Sequence, residues 1–195
     1  MTDLTDVLPE ALAAVGALLA ADGAHVAIVV VGGASLNLLG LIGRTTQDVD
    51  VIARAVPAPG TAGGLVPPDP LPPVLVRAVA RVARDFALPD DWINTVVAKQ
   101  WSQGLPPWLA DDLEWRRYGG LDVGLAGRRT LIALKLFAAV DQSPRSVHAQ
   151  DLGALAPTDT ELEDAAAWVV TQDASPEFPR LVQEMTEHVR AHRDR

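Results

Sequence analysis

The sequence predicts an α+β fold, a mixed sheet flanked by helices with a helical C-terminal part. Two observations carry this expectation. Short strand-like runs fall early, around residues 25–31, 48–53 and 113–125, whereas apolar residues recur at helical spacing from about residue 128 onward. The chain of 195 residues is 49% hydrophobic, enough to build a real core for one domain with an appendage or for two small ones.

Taken in order, residues 4–22 read as an amphipathic helix and His25 to Val31 as a buried strand. Gly32 and Gly33 interrupt the run, a short helix follows over Ala34 to Leu41, and a second strand covers Asp48 to Ala53. Between residues 55 and 73 proline and glycine are dense enough that no regular structure is expected, only a long surface loop or linker. A helix is predicted over Val74 to Phe86, with Arg77, Arg81 and Arg84 along its wet face. In LPDDWINTVVAKQW, Asp90 or Asp91 is positioned to cap another short helix. Strands near Leu113 to Tyr118 and Leu121 to Leu125 are joined by Gly119-Gly120 as a hairpin. Helices are expected over Arg128 to Val140, Val147 to Leu155, Asp159 to Thr171 and Glu177 to His192. Residues 1–127 thus form a core with a Pro/Gly-rich loop at 55–73, and 128–195 a helical part expected to complete the active site.

Composition narrows the function classes. The chain has no cysteine, which excludes a disulfide framework and a cysteine zinc site and suits a reducing cytoplasm. Residues 26–43 carry no charge over 18 positions, nearly a membrane span, but Gly32, Gly33, Ser35 and Asn37 divide the stretch into strand, turn and helix, so no membrane partner is expected. The net charge of -9 argues against a general nucleic-acid binder. Charge is uneven, however: from Arg77 to Arg145 there are ten basic and eight acidic residues, against six and seventeen in the flanks, so a local anion-binding face is compatible with the total.

The chemistry concentrates in VVVGGASLNLLGLIGRTTQDVDVIA, residues 29–53. On a strand, Asp48 and Asp50 share one face while Val49 and Val51 face the core. Two adjacent carboxylates beside apolar neighbours repel each other unless a cation lies between them. Mg²⁺ fits, because it takes one or two carboxylates together with polyphosphate oxygens. Gly32 and Gly33 let phosphates approach the backbone, and the Ser35 hydroxyl lies in the first turn of the following helix. The pattern is neither a P-loop nor a dinucleotide fingerprint. Thr46, two residues before Asp48, would share its face and touch phosphate. Lys135 is the only charge in TLIALKLFAAV, residues 130–140, so it needs an anion or an escape to solvent. Asp151 also reads as an N-cap for the helix carrying Leu152 and Leu155. Asn94 is placed to contact a ribose or base edge or to cap a loop. Four of five tryptophans lie between residues 92 and 115, suited to base stacking or to core packing.

A hydrophobic strand ending in Gly-Gly, then Asp-x-Asp on the next strand, resembles the signature of the DNA polymerase β-like nucleotidyltransferase superfamily. More narrowly, GGASLNLLGLIGRTTQDVD resembles the nucleotidyltransferase-like toxins of the AbiE and MenAT type and their uncharacterised bacterial relatives. DWIN at 91–94, LIALKLFAA at 131–139 and HAQDL at 148–152 extend the likeness. It implies a nucleotidyltransferase-type mixed sheet, with Asp48 and Asp50 as metal carboxylates, Lys135 as a contact to nucleotide phosphate and Asp151 as a further active-site acid. The third carboxylate of the wider superfamily lies on a strand, which favours Asp122 in GLDVGL as a metal ligand. His148 and Gln150 stand where the relatives carry an arginine before the last acid. The resemblance implies a nucleoside triphosphate and Mg²⁺ as ligands, the 3′ end of tRNA as acceptor, and a cognate antitoxin as partner. Transfer to a small molecule, as in aminoglycoside nucleotidyltransferases, and a non-catalytic nucleotide-binding or partner-binding relative are the alternatives.

Overall fold

The computed structural model describes residues 4–43, 45–56 and 64–193 and is α+β. It divides into two compact units, Met1–Ser102 with Leu113–Ala126, and Gln103–Asp112 with Gly127–Arg195.

The first unit is built on one six-stranded mixed sheet. After helix α1 (Leu4–Ala21) come strand β1 (Val26–Val31), helix α2 (Gly32–Leu38) and strand β2 (Val49–Val56). A short strand β3 (Gly64–Val66), helix α3 (Pro73–Phe86), strand β4 (Ile93–Asn94) and the one-turn helix α4 (Gln100–Gln103) follow, and the hairpin β5 (Leu113–Tyr118) and β6 (Leu121–Ala126) completes the sheet. The strand order is β3-β2-β1-β6-β5, with β4 also paired to β2. β1 lies between β2, antiparallel, and β6, parallel. All six residues of β1 and all six of β6 are buried, as expected of central strands covered on both faces.

Helix α1 is long and apolar enough to cross a membrane by length and composition. Here its stripe of Leu4, Leu8, Leu12, Val15 and Leu19 is buried in the same core as Ile28 and Val30 of β1, Leu75, Val79 and Val82 of α3, and Val123 and Leu125 of β6. Each such side chain contributes about 1.5–3 kcal/mol on leaving water, so the stripe is fully used by packing.

The Pro/Gly-rich stretch departs from expectation. Gly64–Val66 forms β3, because β2 runs on to Val56 and offers its edge to Leu65 and Val66. Residues 57–63 lie outside the described residues. The short helix expected after Asp90 or Asp91 begins later: those aspartates lie in a turn, Ile93 and Asn94 extend the sheet, and a 3₁₀ turn over Val96–Lys99 leads into α4. Pairing with β2 explains the delay, since it holds residues 93 and 94 extended.

The second unit is helical. Helices α5 (Arg128–Gln142), α6 (Val147–Leu155), α7 (Asp159–Val169) and α8 (Phe178–His192) match the apolar periodicity closely. Ser146 caps α6 by accepting from the Ala149 amide, and Thr158 with Glu161 forms a complete capping box on α7. Arg128 ties α5 to this cap by donating to both Glu161 carboxylate oxygens and to the Leu155 carbonyl. That hydrogen bond from Arg128, ahead of the opposing effect of burial, draws the Glu161 pKa from 4.5 to about 2. Gln103–Asp112, expected in the core, belongs to this helical unit, where Asp112 accepts from the Thr130 amide at the start of α5 at 2.8 Å.

Candidate functional site

The site of the first unit forms where β1 ends. Gly32 has φ +72, a left-handed conformation that turns the chain from β1 into α2. β2 returns antiparallel with Val31 opposite Asp50, which brings the Asp50 carboxylate onto the turn. A Cβ at Gly32 would lie 2.7 Å from Asp50 Oδ2, and one at Gly33 would lie 2.7 Å from Thr46 Oγ1. Gly32 is therefore required by close approach and by conformation, and Gly33 by close approach. Asp50 lies on β2, while Asp48 lies one residue before the strand starts. The alternation still holds, because half-buried Asp48 and Asp50 bracket Val49 and Val51, which are fully buried.

Thr46 and Asn94 hold Asp48 in place. Thr46 is buried; its Oγ1 donates to the Asp48 carbonyl at 3.1 Å and its amide donates to Thr5 Oγ1 at 2.8 Å. Asn94, opposite Asp50 on the parallel strand β4, donates from Nδ2 to Asp48 Oδ2 at 3.3 Å and accepts from the Val96 amide at 3.0 Å. β4 is anchored in turn by Trp92, which is fully buried and donates from Nε1 to the Val79 carbonyl of α3. Thr5 carries no sequence signal of this part, since its partner is 41 residues away.

Ser35 is fully buried and donates to the Ala126 carbonyl at 3.1 Å, linking α2 to the end of β6. Of the clustered tryptophans, Trp92 is core, Trp101 donates to the Ile52 carbonyl and Trp115 lies against Gly124.

Asp122 requires a correction as a metal ligand beside Asp48 and Asp50. It pairs with Ala27 on β1, whereas Asp50 pairs with Val31. Four residues of strand separate them, about 13 Å at 3.3 Å per residue. The carboxylate is 3% exposed, already neutralised by Arg117, which donates from Nε at 2.8 Å and Nη2 at 3.2 Å, and hydrogen-bonded to His25 Nε2 at 2.8 Å. Burial pushes its pKa up, but the hydrogen bonds from Arg117 and His25 outweigh this and hold it below the ordinary value of 3.8. The signal for this pairing was present in the sequence: a two-residue turn at Gly119-Gly120 sets Arg117 opposite Asp122.

In the helical unit, Lys135 of α5 donates to Asp151 of α6 at 2.5 Å, with side chains 8% and 3% exposed. Lys135 is thus neither snorkelling nor solvated. Asp151 lies within α6, not at its start, so the N-cap part belongs to Ser146. The buried ion pair accounts for the lone charge in an apolar helix.

Among the described residues no group of three or more His, Cys, Asp or Glu side chains is placed to hold a metal ion. Asp48 and Asp50 are hard oxygen donors of the kind that would hold Mg²⁺ together with phosphate oxygens and water. Comparison of the chain with protein-family models, curated proteins and solved structures yields no match.

Proposed function

We propose that the chain is a metal-dependent nucleotidyltransferase that moves a nucleotide from a nucleoside triphosphate to an acceptor hydroxyl. The observation that carries the reading is the Asp50 carboxylate set against the Gly32 turn, with Asp48 two residues earlier and its carboxylate held by the Asn94 amide. Mg²⁺ held by these carboxylates would neutralise the phosphates and the charge developing on them. Asp48 and Asp50 orient that charge, and Asn94 and Thr46 keep Asp48 in position. The acceptor oxygen attacks the α-phosphorus, and pyrophosphate leaves. Positioning and electrostatics carry such a transfer, so no nucleophilic side chain is required.

Following the same resemblance, the acceptor is the 3′ end of tRNA, the setting a cytoplasmic toxin with a cognate antitoxin. The net charge of -9 favours a second acceptor class, a small hydroxyl compound of the aminoglycoside kind. The test is incubation with Mg²⁺, labelled nucleoside triphosphates and either total tRNA or aminoglycosides. Label is expected on tRNA and is expected to vanish with Asp48→Ala. Label on the small molecule instead reassigns the acceptor, and no label on any acceptor, with nucleotide binding intact, leaves a binding module.

A further inference from the structure

A cavity of about 480 Å³ opens beside β4, walled by Pro70, Leu71, Val76, Ile93 and Val96, with Asn94 in its lining. The volume lies within the range of small-molecule sites, about 300–1,000 Å³. Two large apolar side chains converge there in the open: Val76 is 49% exposed and Val96 72%. None of the described lining residues is cationic, and Asp69 adds a carboxylate, so the cavity is unsuited to phosphate groups and to an RNA backbone. Its chemistry selects an uncharged, flat and largely apolar group.

Asn94 joins this cavity to the carboxylates. The same side chain lines the cavity, donates to Asp48 Oδ2 at 3.3 Å and accepts from the Val96 amide at 3.0 Å, while its strand pairs Asn94 with Asp50. The apolar wall and the metal carboxylates are thus held in one frame by a single residue. A ligand with its charged end at Asp48 and Asp50 has the cavity within one side chain's reach.

We infer that this cavity receives the base of the nucleoside triphosphate, with Val76 and Val96 against its face and Asn94 as the positioning residue between base and metal subsites. The inference rests on the nucleotidyltransferase reading. Its test is calorimetric titration of the full chain with Mg²⁺-nucleoside triphosphates and, separately, with Mg²⁺-tripolyphosphate, which has the charged end and no base. The wild type is expected to bind at least one nucleoside triphosphate tenfold or more tightly than tripolyphosphate. The double variant Val76→Asn/Val96→Asn, uncharged and at exposed positions, is expected to lose that tenfold difference and to keep its tripolyphosphate affinity; Val96→Thr, of the same shape, is expected to stay within a few-fold of wild type. If the asparagine variant binds nucleotides as the wild type does, or if the base adds nothing in the wild type, the cavity is not the base subsite and the Asp48-Asp50 site stands. If the wild type binds neither ligand, both readings fall.

Discussion

At the start of β6, Asp122 is 3% exposed and receives a two-pronged guanidinium and an imidazole; at the start of β2, Asp48 is half-buried and receives the uncharged amide of Asn94. Asp122 lies on β6 and Asp48 one residue before β2 of the same sheet. They differ in what neutralises them. A carboxylate satisfied by the protein's own cations ties elements together and has no charge left to offer, whereas one held by an amide keeps its negative charge for a ligand cation. The Arg117-Asp122-His25 cluster thus ties β5, β6 and the residue before β1 together, whereas Asp48 is the carboxylate on which the proposed function draws.

The largest effect that can break this contrast is kinetic. Asp48→Asn is expected to lower nucleotide transfer a thousandfold or more, about 4 kcal/mol of transition-state stabilisation, with thermal unfolding nearly unchanged. Asp122→Asn is expected to spare transfer per folded molecule, and equal losses in the two variants would erase the distinction drawn between them.

A third carboxylate sharpens the comparison from the buried extreme. Lys135→Met leaves Asp151 charged and without its lysine at 3% exposure, at a cost of about 3–5 kcal/mol in denaturant unfolding, while Lys135→Met/Asp151→Leu is expected to recover most of it. A single variant as stable as the wild type would show that this pair is not the burden its burial implies.

Asp122→Asn itself is expected to lower stability by about 1.5–3 kcal/mol at neutral pH, because charge-assisted hydrogen bonds to a buried group are lost while Arg117 and His25 stay partly solvated. The folded pKa of Asp122 is held below 3.8, so its contribution is present above that value and fades as pH falls through the lowered one. Denaturant unfolding of wild type and variant should therefore differ fully at pH 7 and converge well below pH 4. A gap that widens in acid would contradict the assigned direction.

The smallest effect concerns the turn. Gly32→Ala imposes a left-handed conformation on a residue with a side chain and drives that side chain into Asp50 Oδ2. A loss of about 1–2 kcal/mol is expected, with a transfer rate reduced more than stability alone explains because Asp50 must shift. A fully active Gly32→Ala protein would remove the close approach from the argument.

Much of this was legible from residues alone. Helices α5, α6, α7 and α8 fall within two residues of their expected bounds because apolar periodicity is a local signal. The hairpin was equally legible, and with it the opposition of Arg117 and Asp122. β3 was not, since a strand of three residues in Pro/Gly-rich sequence exists only because β2 offers it an edge. Nor was the wall of Val76 and Val96, which come from a helix and a turn brought together by packing.

By itself, the sequence determined the longer helices and strands, the glycine turn after β1 and the presence of two aspartates bracketing a core valine, because each depends on neighbours within a few residues. Only the tertiary structure decided which carboxylates meet and which are neutralised. Register along β1 separates Asp122 from Asp50, and the packing of α5 on α6 pairs Lys135 with Asp151 across sixteen residues. These are long-range pairings, set by strand register and helix packing across the whole core, and no local window of residues contains them.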